Sequence, residues 1–515
     1  MNGHANGHAN GHANGTDSSI DVVIIGAGIS GINAAYRLQS ECPNYSYTIL
    51  EARDDLGGTW DLFKYPGIRS DSDLFTFGFR FNPWVSKHPI AEGHLIKGYM
   101  RQTADKYGID KHIRFRHRLI SADWSSTESV WTLNVENEGQ TSTLKTRFVI
   151  FGSGYYNYKE PLETKIPGLE NFQGQVIHPQ FWPEDLDYKK KKVVIIGSGA
   201  TAITLLPNLA AEAERVTMIQ RSPTYVFSLP NKTSNSVLLW WLLPASWLLP
   251  RALYKSVERL AWIVATRFLF VFCRTFPSFS KWILKLHTKS QLPSHIPYDP
   301  HFKPRYNPWE QRLCVSPNGD FYQSLRSGKA DVRTDTIKTV TKKGITINSG
   351  ETLDADIIIT ATGLKLQVGG GASISVDGKK MDLGTKYMWN GVMIQDVPNA
   401  AFIIGYTNAS WTLGADATAQ FVTRLINSLE SRKIVAATPR MNLQEAKQVQ
   451  IRPLLNLSST YINVADRVLP MAADRGPWKP RDHYQKDIKF ALHGKIDDQM
   501  EFVHGSDLHV RPNIA

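Results

Sequence analysis

Three cysteines, Cys42, Cys273 and Cys314, lie far apart in 515 residues and form no CxxC or similar pair. That scarcity excludes a disulfide framework and a thiolate zinc site and argues for a reducing compartment, so a cytoplasmic protein without a metal centre is expected. Acidic residues are the scarcer charge: 47 Asp and Glu against 59 Lys and Arg leave a net charge of +12. A membrane surface or phosphorylated dinucleotides satisfy that excess as well as nucleic acid does, so no nucleic-acid partner is inferred from it. No uninterrupted apolar run reaches the roughly twenty residues a membrane span needs. The amino end repeats NGHA three times with no signal-peptide core, and residues 1–17 are expected to form a disordered tail. What is present is the balance of a folded chain: 42% hydrophobic and 21% charged residues, with 14 Trp, 19 Tyr and 22 Phe. Its length predicts two or three domains.

From Ile20 an apolar run of strand length leads into Gly26-Ala27-Gly28-Ile29-Ser30-Gly31, a GxGxxG turn followed by the helical-looking Ile32–Leu38. Gly26 permits the tight turn, Gly28 lets backbone amides approach a pyrophosphate at the helix start, and Gly31 allows close helix–strand packing. A second strand, Tyr47–Leu50, ends at Glu51, where a carboxylate would accept hydrogen bonds from ribose hydroxyls. The same grammar recurs where Val193–Ile196 runs into Gly197-Ser198-Gly199-Ala200-Thr201-Ala202. Here the next strand, Val216–Ile219, ends in Gln220-Arg221, and a guanidinium pairs with a 2′-phosphate, which favours NADPH over NADH. A solvated surface charge is the plainer role for Arg221. Ala355–Thr360 then leads to Ala361-Thr362-Gly363, a small-residue turn that lets the chain pass close to a cofactor or return between domains.

Between the two turns stands Phe172-Gln173-Gly174-Gln175-Val176-Ile177-His178-Pro179-Gln180-Phe181-Trp182-Pro183, which reads FxGxxxHxxxWP. It resembles the fingerprint of type I Baeyer–Villiger monooxygenases, the class B flavoprotein monooxygenases. Gly57-Gly58-Thr59-Trp60 and Tyr65-Pro66-Gly67-Ile68-Arg69-Ser70-Asp71 agree with it, and the likeness covers most of Ile20–Asn513. Within the family, Asp61–Trp84, Arg305–Trp309, Gln311–Cys314 and Tyr406–Leu413 resemble the subgroup that activates the thioamide prodrug ethionamide. The resemblance implies an α/β fold of two Rossmann-like dinucleotide-binding domains with a helical insertion. FAD would be held by 18–157 and 388–515 and NADPH by 158–225 and 312–387, with 226–311 as the insertion. Thr59, Trp60 and Asp71 would then contact FAD. Arg312 matches the family's active-site arginine, which holds negative charge on activated oxygen, and Asp71 matches the carboxylate that orients it. Many relatives carry a lysine before that arginine to contact the NADPH 2′-phosphate; Gln311 stands here instead, leaving Thr201 and Arg221 as candidate contacts. On residues alone, a structural ion pair is the preferred reading of Arg312 and Asp71, which the resemblance reverses, and His178 fits an interdomain hinge better than a catalytic base.

The reaction so implied takes NADPH and O2 and converts an apolar ketone to an ester or lactone through a C4a-peroxyflavin, with oxidation of sulfur compounds as a side activity. The alternative is a flavin-containing N- or S-oxygenase, against which Trp182 and Arg312 argue. A disulfide reductase would need the cysteine pair this chain lacks, and a non-enzymatic dinucleotide-sensing or membrane-binding module is the last alternative. The stretch 237–286 is rich in Trp, Leu and Phe, broken at Pro244, Pro250 and Pro277, and carries seven basic residues against the single acid Glu258. Arg251, Lys255 and Arg259 at i, i+4 spacing predict a basic helical face. Such a stretch either rests on anionic lipid, making the protein peripherally membrane-associated, or caps the active site; both roles need the same apolar stripes.

Overall fold

The computed structural model describes residues 20–232, 250–455 and 468–507, with Ile462, Val464 and Ala465 between the last two stretches. The tail at 1–17 and positions 237–249 of the aromatic stretch lie outside the described residues. The strand Ile20–Ile25 is apolar at successive positions because it lies in the middle of a sheet covered on both faces, where an alternating pattern would bury polar groups. It pairs in parallel with Tyr47–Leu50 on one side and Gln140–Phe151 on the other. From there the sheet turns antiparallel through Val130–Asn137 and Arg118–Ser125. Distant segments complete its nine strands: Ala400–Phe402 joins Gln140–Phe151, and Ser373–Val376 joins Arg118–Ser125. The chain is therefore back in the first sheet at Ser373, ahead of the boundary expected at 387. The helix Trp411–Ser431 is buried along most of its length against Ile29–Glu41, tied by Arg37, which donates to Asp416 at 2.9 and 3.1 Å.

The second sheet has five parallel strands in the order Ala330–Thr334, Arg215–Gln220, Lys192–Ile196, Ile357–Thr360 and Gln175–Ile177. Two passages of chain between the sheets, Tyr156–Pro161 and Leu364–Leu366, pair as an antiparallel ribbon. The FxGxxxHxxxWP segment sits where that ribbon meets the second sheet. A Cβ on Gly174 would overlap the Asp356 carbonyl oxygen, Gln180 Nε2 donates to Asn157 O at 2.8 Å, and Trp182 is buried in the second core. His178 Nδ1 accepts from Gln180 N at 3.2 Å, and burial pushes its pKa down, so the ring is held neutral as a structural member of this junction.

The insertion begins as a strand, Val226–Leu229, paired in parallel with Cys314–Pro317 beyond it. Its described helices, Arg251–Thr275 and Pro277–Lys289, meet at 112°. Proline opens the second helix at Pro277, a position where the missing N–H costs nothing. Two residues of the face expected to be basic turn inward: Arg259 is buried and donates to Phe75 O and Gly78 O at 2.8 and 2.7 Å, and Lys255 pairs with Glu258 at 2.7 Å. Those cations satisfy carbonyls and a carboxylate where the helix lies on the first domain, which leaves an apolar stripe facing outward. Among the described residues no single helix is long and apolar enough to cross a membrane.

Candidate functional site

Both glycine turns are built alike. Gly26 N donates to Leu50 O and Gly197 N to Ile219 O, each at 2.8 Å, so each turn is pinned to the end of the neighbouring parallel strand. Positive φ at Gly26 (98°) and Gly197 (129°) is the reason neither position takes a side chain readily. A helix starts directly after each, Ile29–Glu41 and Ala200–Ala210, with Gly28 and Gly199 at the caps and no side-chain cap bond. The unbonded amides of a helix's first turn favour an anion. A Cβ on Gly199 would meet nothing within 4 Å, and one on Gly28 only the Gly58 backbone at 3.7 and 3.9 Å, so both turns are open to a close-lying phosphate. The residues present fit two dinucleotides.

Glu51 lies beside the first turn. Its carboxylate accepts from Ala27 N at 2.7 Å and Arg53 N at 3.0 Å, while burial pushes its pKa up against those bonds. Gly57-Gly58 closes over the turn through Gly57 N donating to Ala27 O at 3.1 Å. Thr59 shares a hydrogen bond with Tyr158 at 3.2 Å, and Trp60 stands edge-on to Phe77 at 5.7 Å. At the second turn Thr201 neighbours Tyr65 of the first domain, whose hydroxyl is pushed upward in pKa by burial, and Arg221 is exposed. Ser198 Oγ donates to Ser222 O at 2.8 Å, which brings the strand end bearing Arg221 against the turn.

Of the two sequence-predicted catalytic residues, both in the seam between the sheets, Asp71 lies within the electrostatic field of Arg312 but shares no hydrogen bond or ion pair with it. Arg312 sits just ahead of Cys314–Pro317 and donates through Nη2 to Tyr155 OH at 3.3 Å. Asp71 ends the Tyr65–Asp71 segment; desolvation pushes its carboxyl above the ordinary range, and the positive fields of Arg312 and then Arg69 pull it back. The sequence offered no sign of Tyr155, whose buried ring lies 5.0 Å from that of Trp411 at the head of the long helix. Nor did it reveal that Arg69 crosses the seam to Asp320, with Nη1 at 2.5 Å and Nη2 at 3.4 Å. Both contacts join segments remote in sequence, and neither Tyr155 nor Asp320 belongs to a motif. A half-buried guanidinium with a carboxylate in its field can hold and orient negative charge on oxygen.

Two open glycine turns at the strand ends of two joined α/β sheets define a protein with two dinucleotide cradles. Residues 19–393 match the family described as Flavin-binding monooxygenase-like. The chain is 46% identical over 484 residues to the FAD-containing monooxygenase EthA of Mycobacterium tuberculosis, covering 93% of this chain and 96% of that one. It is 42% identical over 484 residues to the probable FAD-binding monooxygenase AlmA of Acinetobacter baylyi, covering 94% and 95%. A steroid monooxygenase solved in oxidized form with NADP shares the fold at a TM-score of 0.72 and 20% identity, covering 95% of this chain and all of that one. The chain therefore belongs to the flavin-binding monooxygenase-like family and is a flavin-dependent monooxygenase.

Proposed function

We propose that this enzyme binds FAD at the first turn and NADPH at the second and uses O2 to convert an apolar ketone into an ester or lactone. The observation that supports the reading is Arg312 bonded to the buried Tyr155, with the Asp71 carboxylate inside its electrostatic field. When bound, the flavin, reduced by NADPH, supplies the activated oxygen; one atom of O2 enters the carbon–carbon bond beside the carbonyl and the other leaves as water. The protein's part is electrostatic. Arg312, always cationic, holds the negative charge that develops on oxygen, and Asp71 fixes the plane of the guanidinium. Tyr155, packed against Trp411, takes one of the guanidinium N–H groups. At the second cradle Arg221 pairs with the 2′-phosphate, standing in for the lysine that Gln311 replaces.

Arg312→Ala tests this. It is expected to retain bound FAD and to lose ester formation from phenylacetone by about 10²–10³-fold, as when a charge-stabilising donor is removed. Retained ester synthesis would overturn it, and sulfoxide from a thioether without any ester would assign the enzyme to N- or S-oxygenation instead.

The outward stripe of the insertion supports a second element of the same proposal, a peripheral seat on anionic lipid. Leu253, Leu260, Val264, Phe268 and Val271 recur at helical spacing on one face and are exposed. At the bend Phe272 meets Phe276 and Phe279, and Phe279 stacks on Trp282, with Phe268, Phe276, Phe279 and Trp282 each 50 to 69% exposed. Arg274, Lys285 and Lys289 flank this elbow and are exposed too. Large exposed aromatics bordered by cations match a bilayer interface, and the like charge disfavours a second copy of the chain. Vesicles of phosphatidylglycerol should pull down the holoenzyme, phosphatidylcholine vesicles far less, and Phe268→Glu/Trp282→Glu should weaken binding about tenfold or more. Equal binding by the double variant, or a dimer in solution that the variant dissolves, would overturn the lipid reading.

A further inference from the structure

Asp71 stands within the field of two guanidinium groups, Arg312 and Arg69, yet an orienting carboxylate can serve only one of them in a fixed geometry. Arg69 is two residues from Asp71, on a stretch held against the neighbouring segment by Ser70 N to Ala91 O at 3.0 Å and by the bridge between Arg69 and Glu92. Its side chain is nearly buried and engages Asp320 with both terminal nitrogens. Asp320 is in turn prepared for this role. Its Oδ1 accepts from Ser316 Oγ at 2.7 Å and from Phe321 N at 2.8 Å, so it cannot swing away without stranding two donors. The elements that carry it, the strand Cys314–Pro317 and the helix Asp320–Arg326, follow directly on Arg312.

Resting on the reading of Arg312 and Asp71 above, we infer that Asp320 is a positioning residue: by occupying Arg69 it leaves Asp71 to Arg312. Without Asp320 the Arg69 cation is left in a poorly solvated seam, and Asp71, two residues away and already within its field, is a carboxylate open to it. Asp71 then turns from Arg312 toward Arg69. NADPH oxidation would continue, but the guanidinium that should hold the developing charge would be misaligned. Oxygen is then released as hydrogen peroxide, carrying the two electrons that should have gone into ester and water.

The competition can be separated from a simple clamp with three variants of the holoenzyme, reading NADPH consumed, ester from phenylacetone and hydrogen peroxide. Asp320→Asn is expected to keep FAD and NADPH oxidation, lose ester per NADPH about tenfold and raise peroxide to match. Arg69→Gln/Asp320→Asn, lacking the competitor, is expected to return to within about twofold of the parent ratio. Arg69→Gln alone is expected to keep the ratio and serves where Asp320→Asn does not fold. An unchanged ratio in Asp320→Asn overturns the inference, as does a double variant no better than the single one, or an Arg69→Gln enzyme that loses ester by itself. Arg312→Ala run alongside separates the two levels. If it still makes ester, the reading of the site fails whatever Asp320 does; if it does not and Asp320→Asn does, only the role of Asp320 falls.

Discussion

At the first turn a methyl group on Gly31 would overlap the Gly26 carbonyl oxygen, whereas at the second turn Ala202 carries that methyl and is fully buried. Elsewhere the two units repeat each other down to the 2.8 Å bond from the first glycine to the neighbouring strand. They diverge once more where that strand ends, in the buried carboxylate of Glu51 on one side and the exposed guanidinium of Arg221 on the other. The shared turn answers to what any dinucleotide brings, a pyrophosphate needing open amides. Under the proposed function, the differences would answer to what distinguishes the nucleotides, ribose hydroxyls in one site and a 2′-phosphate in the other.

Exchanging the third residues should break this symmetry most severely. Gly31→Ala forces helix and strand apart or distorts the turn, and a loss of about 3 kcal/mol or more is expected, seen as colourless protein with a lowered unfolding midpoint. Ala202→Gly clashes with nothing and should cost only about 1 kcal/mol of helix propensity. Equal effects would mean that the two crossings are equally close.

Glu51 comes next. Glu51→Gln removes the charge behind its bonds and should weaken FAD retention by about 1.5–3 kcal/mol, read by flavin release on dilution. The pH dependence has a definite sign. Burial raises the carboxyl's pKa, so it takes up a proton at higher pH than a surface glutamate does, and FAD held through the ionised form is retained above that raised value and lost as pH falls through it. For the apo fold the same shift acts the other way: the folded chain binds this proton more readily than the unfolded chain, so the contribution of Glu51 to stability improves as pH falls across that window. Flavin release should therefore precede unfolding in an acid titration, and Glu51→Gln should abolish that early release.

Both turns, their helices and Glu51 were legible in the sequence because each depends on neighbours within about thirty residues, where spacing alone dictates geometry. The early return of Ser373–Val376 to the first sheet was not, since that strand is recognised only by its pairing with Arg118–Ser125. The helical face read as basic was correctly placed in register, but its two readings, against lipid or packed over the active site, stayed open on the sequence alone. Periodicity says which residues share a face; it does not say that Arg259 will find the carbonyls of Phe75 and Gly78 and leave the aromatic stripe outside. The seam was half legible: Arg312 and Asp71 sit in motifs, whereas Tyr155 and the Arg69–Asp320 pair arise from two chain segments folding onto one another.

Two milder changes sharpen the second turn. Arg221→Gln should raise the KM for NADPH about tenfold, with kcat and the KM for NADH little changed, because it removes a contact to the 2′-phosphate alone. The smallest effect is expected at Gly199, whose φ is ordinary and where an added Cβ meets no protein atom within 4 Å. Gly199→Ala should leave the unfolding midpoint within the scatter of replicate measurements, since it strains no backbone and displaces no neighbour. The only thing the methyl can meet is a ligand at the turn, so a rise of about threefold in KM for both NADPH and NADH is expected. If the change instead lowered stability and left both constants alone, the turn would be packed rather than open, and the pyrophosphate would have to lie elsewhere.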